Sequence, residues 1–276
     1  MKPKLILLLV VVILISACTL QNAPQKKPTE NSVPHTQASD ETDRQVSRIS
    51  RDTEAFNGKA GLFAKNLNTG KSIGIHEHQI FPTASTHKLM VALATYKYLY
   101  SEVSPDKKKQ YDLYIKNMMQ VSYNPAFYRM VRELDSRRPE ALSQVLKDLQ
   151  LKNTWIYSEE AFRKYGYHSV TTPAEMAIVF ETIYQEQYLG KEMSVILKEA
   201  LAKTIYQEEF PLFMQKGKVI HKVGSLPGML CDVGIIDDGK DQILISFFTT
   251  SKQAEKQSSL YIAEASADLY NALRSR

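Results

Sequence analysis

The sequence predicts an α+β fold: one antiparallel sheet built from both ends of the chain with flanking helices, and an all-helical lobe inserted between the two halves of the sheet. Three observations carry this. Strand-like stretches lie toward the ends, "KAGLFAKNLNTGKSIGIHE" early and "GKVIHKVGS", "MLCDVGIID" and "DQILISFFTT" late. Between them, from Ser85 to about Ile205, apolar residues recur at three- and four-residue steps, the period of a helix face. The chain closes on an amphipathic helix from about Ala254 to Leu273.

The first 17 residues read as a leader. Lys2 and Lys4 give a basic start, and the apolar run Leu5 to Ile15 is too short to span a bilayer, which takes about 20 apolar residues. Ala17 before Cys18 resembles a bacterial lipobox, which implies cleavage before Cys18 and lipid on its sulfur. An ordinary signal peptide with an incidental cysteine, or an uncleaved anchor, is the competing reading. Lipidation would hold the protein to the outer face of the cell membrane. Residues 18–43 contain no aromatic and almost no aliphatic side chain, so they bury too little to offset ordering entropy and read as a flexible tether.

Residues 44–276 then form the folded domain. A helix over residues 41–56 points Val46, Ile49 and Phe56 toward a core. The next stretch is a hairpin turning at Asn68-Thr69-Gly70, with His76 and His78 alternating along its second strand toward solvent. In the lobe, Leu89, Leu93, Tyr96 and Leu99 mark the first helix; Met118, Val121, Met130, Val131, Leu134, Met176, Ile178, Val179 and Ile183 mark later ones. The run Lys107 to Lys109 and the pair Arg137-Arg138 are solvated helix or loop positions. The formal charge of +5, two units of it from Lys2 and Lys4, is too mild for a nucleic-acid partner. With Cys18 lipidated, Cys231 has no disulfide partner, and the histidines form no metal-ligand cluster.

"FPTASTHKLMVALATY" places Ser85 and Lys88 three apart at the mouth of an apolar helix, where they share a face. Serine needs an adjacent base to become a nucleophile, and a lysine serves when burial or a nearby cation keeps its amine neutral. The structural alternative is a helix cap with a lysine reaching to solvent. Two further signals join this one: Ser122-Tyr123-Asn124 in "VSYNPAF", and Lys222-Val223-Gly224 followed by Ser225 in "HKVGSLPG".

Taken in order, these motifs resemble the Ser-x-x-Lys, Ser-Asp-Asn and Lys-Thr-Gly set of class A β-lactamases and penicillin-binding proteins. "TTPAEMA" (Thr171 to Ala177) is similar to the class A segment that closes the Ω-loop. The resemblance spans most of residues 45–276. It implies Ser85 as acylated nucleophile, Lys88 as its base, and Ser122 as proton relay to the leaving nitrogen. Asn124 would bind the substrate's acylamide, and Lys222 its carboxylate. Gly224 would allow close backbone approach, and the N–H groups of Ser85 and Ser225 would form the oxyanion hole. His87 and His221 flank the motifs without an implied role. No cofactor or metal is implied, and the partner is a β-lactam or a small peptidoglycan-derived substrate.

Three departures matter. Tyr123 replaces the middle aspartate, and Val223 replaces a threonine whose hydroxyl would bind the carboxylate, a loss Ser225 could offset. The Glu-x-x-Leu-Asn segment that activates the deacylating water is missing; Glu159 and Glu160 lie in that neighbourhood, either as a base or as solvated acids at a helix start. The expected function is therefore a lipid-anchored penicillin-recognising serine hydrolase that acylates on β-lactams or D-alanyl-type cell-wall amides and deacylates slowly. The alternative is a binding or sensor module of the same fold.

Overall fold

The computed structural model describes residues 35–214 and 216–275, with side chains from Thr42 onward. The leader, Cys18 and residues 18–34 of the expected tether lie outside these residues.

Helix α1 (His35–Glu54) begins directly after Pro34, so residues 35–43 of the expected tether are helical, and the helix starts earlier than residue 41. Strands β1 (Gly58–Asn66) and β2 (Ser72–Ile75) form the expected hairpin, with Leu62 opposite Ile75. β2 stops at Ile75 because His76 turns to φ 49°. His76 is thus off the strand but exposed as expected, its Nδ1 3.0 Å from the Ala60 carbonyl and its Nε2 3.2 Å from Glu54. His78 is exposed, as expected.

The lobe enters through β3 (Phe81–Pro82) and a 3₁₀ turn at Ala84–His87 that runs into α2 (Lys88–Ala94). Every residue of α2 is buried, because α3 (Pro105–Gln120), α4 (Asn124–Arg137) and α5 (Ala141–Asp148) pack around it. Leu89, Leu93, Tyr96 and Leu99 all enter the core, whereas Val121 and Ile178, placed on apolar faces from spacing, are each 43% exposed. Val121 sits at the frayed end of α3, where the periodicity no longer applies.

A short helix α6 (Glu159–Tyr165) follows, capped by Ser158 and ended by Gly166 in the left-handed region. β4 (Val170–Thr171) pairs with β3, and α7 (Pro173–Tyr184) starts at the Thr172 cap. The "TTPAE" segment is a clamp. Glu175 accepts from the backbone N–H of Lys152 and Asn153 and from Thr154 Oγ1, tying the loop ahead of α6 to α7. α8 (Lys191–Leu201) completes the lobe.

The chain then returns to the sheet as β5 (Lys218–Leu226), β6 (Met229–Asp237) and β7 (Gln242–Ser251), followed by α9 (Glu255–Leu273). The order is β2-β1-β7-β6-β5, all antiparallel, with the N-terminal β1 against the C-terminal β7. Alternation along β7 splits the core: Ile243, Ile245 and Phe247 face α1 and α9, while Leu244 and Phe248 face the lobe. β5 is an edge strand, and its free edge runs beside the turn that carries Ser85.

Candidate active site

Ser85 follows Ala84, which is held at φ 42°; Ser122 is itself at φ 53°. Such conformations cost roughly 1–3 kcal/mol in residues other than glycine and persist only where surrounding structure enforces them. Lys88 bridges the two segments. Its Nζ donates to Ser85 Oγ (2.8 Å), Ser122 Oγ (3.0 Å), the Ser122 carbonyl (2.8 Å) and Asn124 Oδ1 (2.7 Å). One amine therefore ties the start of α2 to the α3–α4 connection and brings three of the predicted residues together.

Lys88 is 1% exposed. Burial, with the neighbouring Lys222 charge, pulls its ammonium down to about 7. The neutral amine has two hydrogens. The Ser122 carbonyl and Asn124 Oδ1 can only accept, so they take both, and the lone pair is left for a hydroxyl proton. The Asn124 amide nitrogen then remains a donor for the open side of the site.

Lys222 enters from β5. Its Nζ donates to Ser122 Oγ (3.1 Å) and the Val223 carbonyl (2.8 Å), beneath the Tyr206 ring. Burial lowers it to about 8, offset in part by Cys231 and Asp232. Because the Val223 carbonyl faces Lys222 rather than β6, strand alternation turns the N–H of Ser225 outward too, toward Ser85. Gly224 lets this edge approach: a Cβ there would lie 2.9 Å from the Ser85 nitrogen and 3.0 Å from the Thr83 carbonyl. The two predicted oxyanion donors thus come from backbones in direct contact.

A cleft of about 530 Å³ opens over Ser85 and Lys88. Its walls are aromatic: Phe127 and Tyr128 from α4, Tyr157 from the loop before α6, and Tyr167. None of the four was singled out from sequence; Phe127 and Tyr128 lie three and four residues after Asn124, so helical spacing could have flagged them. His87 also lines the cleft, packed 4.6 Å from the Phe127 ring. Burial and the two lysines pull His87 down to about 3, so it stays neutral. Glu159 reaches the cleft margin but is directed at His168 (3.4 Å), with 75% of its side chain exposed.

The remaining expectations separate from the site. His221 lies on the opposite face of β5, buried against Asp232 at 2.8 Å. Val223 points into the core under α9. Ser225 Oγ does not replace the missing threonine hydroxyl: it donates to Glu255 at 2.7 Å. Cys231 is a free buried thiol held against the Gly224 carbonyl, and burial pushes its pKa upward. Among the described residues no three His, Cys, Asp or Glu side chains gather as metal ligands.

Comparison with known proteins places this geometry. Solved structures share the fold. A single-substitution variant of PBP-A, described as an acyl-enzyme complex with penicillin G, is 22% identical, with a TM-score of 0.72 over 83% of this chain and 96% of that one. The TLA-1 extended-spectrum β-lactamase is 20% identical, with a TM-score of 0.71 over 84% and 98%. A β-lactamase from Sphaerobacter thermophilus is 14% identical, with a TM-score of 0.69 over 83% and 96%. No curated protein matches. The sequence pattern of the β-lactamase enzyme family matches residues 42–113 and 99–273, nearly the whole described chain. The fold is that of the class A β-lactamases and penicillin-recognising proteins, and the chain belongs to the β-lactamase enzyme family.

Proposed function

We propose that the protein is a serine hydrolase that forms an acyl-enzyme on Ser85 with β-lactams or D-alanyl-type cell-wall amides and releases the acyl group slowly. The observation that carries this is the single buried Lys88 amine, lowered to about 7 and in contact with Ser85, Ser122 and Asn124 together.

Ser85 Oγ attacks the carbonyl carbon as its proton passes to Lys88 Nζ. The oxyanion is held by the N–H groups of Ser85 and Ser225. The carbon–nitrogen bond then breaks, and the leaving nitrogen takes the Ser122 proton, which Lys88 replaces. Lys222 keeps Ser122 Oγ oriented. Asn124 donates to the acylamide carbonyl. Water must end the cycle, and here the site is poorly equipped: Glu159 is turned to His168, and the wall above Ser85 is aromatic. That feature is also what favours the second reading, a binding or sensor module of the same fold.

A time course with penicillin G separates these. Intact mass should show one adduct per chain, and stopped-flow a burst of about one equivalent before a shallow steady phase. No adduct would leave the binding module; rapid linear turnover without a burst, lost in Glu159→Gln, would show a working deacylation base instead.

For localisation, the basic leader and "ISAC" support a lipid anchor on Cys18 at the outer face of the cell membrane. Two or more acyl chains are needed for stable anchoring. Cys18→Ser should release the protein into the medium or leave it unprocessed; an unchanged membrane fraction would overturn the anchor.

A further inference from the structure

The acyl side of the cleft is built from aromatic rings. The leaving nitrogen must lie beside Ser122, which gives it a proton, so the acyl group extends the other way, past Asn124 and along α4. Phe127 and Tyr128 stand three and four residues after Asn124, one turn on along the same face of that helix. Tyr157 joins them from the loop before α6, and all three line the cleft.

The rings pack in sequence. His87 lies 4.6 Å from Phe127, and Phe127 lies 5.3 Å from Tyr128 and 5.7 Å from Tyr157. Phe127 is 3% exposed and forms a floor, whereas Tyr128 and Tyr157 keep open faces, at 51% and 47%. Tyr157 also stands at φ 57°, a strained conformation for a bulky side chain. The loop holds it there: its N–H donates to Ser169 Oγ at 3.1 Å, and the N–H of Ser158 donates to the His168 carbonyl at 2.8 Å. A ring that stays half exposed recovers little of that strain by its own burial, so packing alone does not account for its position. Among the described residues lining the cleft, the only lysine, Lys88, is engaged with four oxygens, and the only carboxylate, Glu159, stands at the margin beside His168. The wall thus offers an acyl group flat apolar faces rather than charge.

We propose that, among β-lactams and D-alanyl-type amides, the site selects acyl groups that carry an aromatic arm, with Tyr157 as the specificity-determining residue. This rests on Ser85 being the acylated nucleophile. The arm runs from the acylamide at Asn124 over Phe127 and onto the open face of Tyr157, and offset or edge-to-face ring contact adds to the apolar area it buries.

The test compares benzylpenicillin with the penicillin whose side chain is acetyl instead of phenylacetyl, which lacks only the phenyl ring. Acylation rate constants of the purified full chain are read by intact mass, each divided by the compound's own rate with hydroxide. The readout is the ratio of the two within one protein, so a general loss of activity cancels. In the wild type benzylpenicillin should lead by about tenfold or more, the effect of burying a phenyl ring. Tyr157→Ala should cut that ratio by about two- to twelvefold, the range of one aromatic pair, whereas Tyr157→Phe, which keeps the ring, should preserve it. Equal wild-type rates, or a ratio that Tyr157→Ala leaves unchanged, overturn the selectivity and leave the acylation reading intact. A ratio that falls as far in Tyr157→Phe assigns the effect to the hydroxyl and overturns the ring contact. An adduct from neither compound in the wild type overturns the acylation reading itself, and this inference with it.

Discussion

Lys88→Ala lowers the rate of acylation by penicillin G by about 10²–10⁴, the span expected when a general base is lost, and Ser85→Ala removes the adduct altogether. The reason lies in α2. Its seven residues are all buried, so an ammonium at its first position has no water to solvate it and would cost stability if it carried no function. The site relieves that cost by lowering the pKa to about 7, through burial first and the Lys222 charge second. Near pH 7 the amine is therefore neutral in a large share of molecules, with its lone pair free for the Ser85 proton. The wild-type acylation rate should climb as pH rises through about 7 and then level off. The same shift fixes a stability effect. Between the folded value of about 7 and the unfolded value near 10.5, the unfolded chain holds more protons, so Lys88 makes stability rise with pH across that window. Lys88→Met should consequently raise Tm near neutral pH, by about 2–4 °C for each kcal/mol recovered, while acylation is lost. A near-normal rate in Lys88→Ala would mean that another group takes the proton.

The parts of this site that were legible in the sequence share one property: their geometry is local or tied to a motif of fixed spacing. Ser85 and Lys88 meet because three residues make nearly one helical turn, and that relation survives any tertiary arrangement. The hairpin, the late strands and α9 were legible for the same reason, since alternation and turn residues are local signals. Ser122 and Lys222 were found through motif order, and the structure brings both to the Lys88 amine or its partner hydroxyl. What spacing could not reveal are pairings made across the fold. Glu255 reaches Ser225 from 30 residues away, and Tyr206 covers Lys222 from a loop without regular pattern. His76 was misplaced because a positive φ ended its strand, and nothing in the residue type announces that. The start of α1 was missed for a different reason: polar residues after Pro34 give no amphipathic signal, although nothing in them forbids a helix.

Tyr157 stands at φ 57°, and its ring packs 5.7 Å from Phe127, so the loop before α6 is fixed with an aromatic wall toward the cleft. The acids that follow it, Glu159 and Glu160, occupy the first turn of α6 behind the Ser158 cap and are exposed, with Glu159 beside His168. His87, which also lines the cleft, is too weak a base at about 3 to replace them. Ser85, Lys88 and Ser122 thus lie in mutual contact, while the first-turn acid that reaches the cleft, Glu159, is directed at His168.

Gly224→Ala should cost about 10²–10³ in acylation rate, the effect of losing an oxyanion donor, and about 1–3 kcal/mol of stability, the usual cost of overpacking. Gly224 is not there for backbone freedom, since its φ is not in the left-handed region; it is there for space. A methyl at this position would lie 2.8 Å from Cys231 Sγ, 2.9 Å from the Ser85 nitrogen and 3.0 Å from the Thr83 carbonyl. The last two are backbone atoms of the segment that carries the nucleophile, so neither can rotate away. Relief must come from β5 drawing back from Ser85, which it can do as an edge strand hydrogen-bonded in the sheet only to β6. That movement separates the N–H of Ser225 from the N–H of Ser85 and spoils their convergence on one oxygen. The sulfur contact can be tested separately. Adding Cys231→Ala to Gly224→Ala should recover part of the Tm, because it removes the sulfur clash at the cost only of weak thiol hydrogen bonds to the Thr83 and Gly224 carbonyls, but it should not recover the rate, because the clash with the Ser85 backbone remains. If the double variant acylates as fast as the wild type, close approach of β5 to Ser85 is not what builds the oxyanion site.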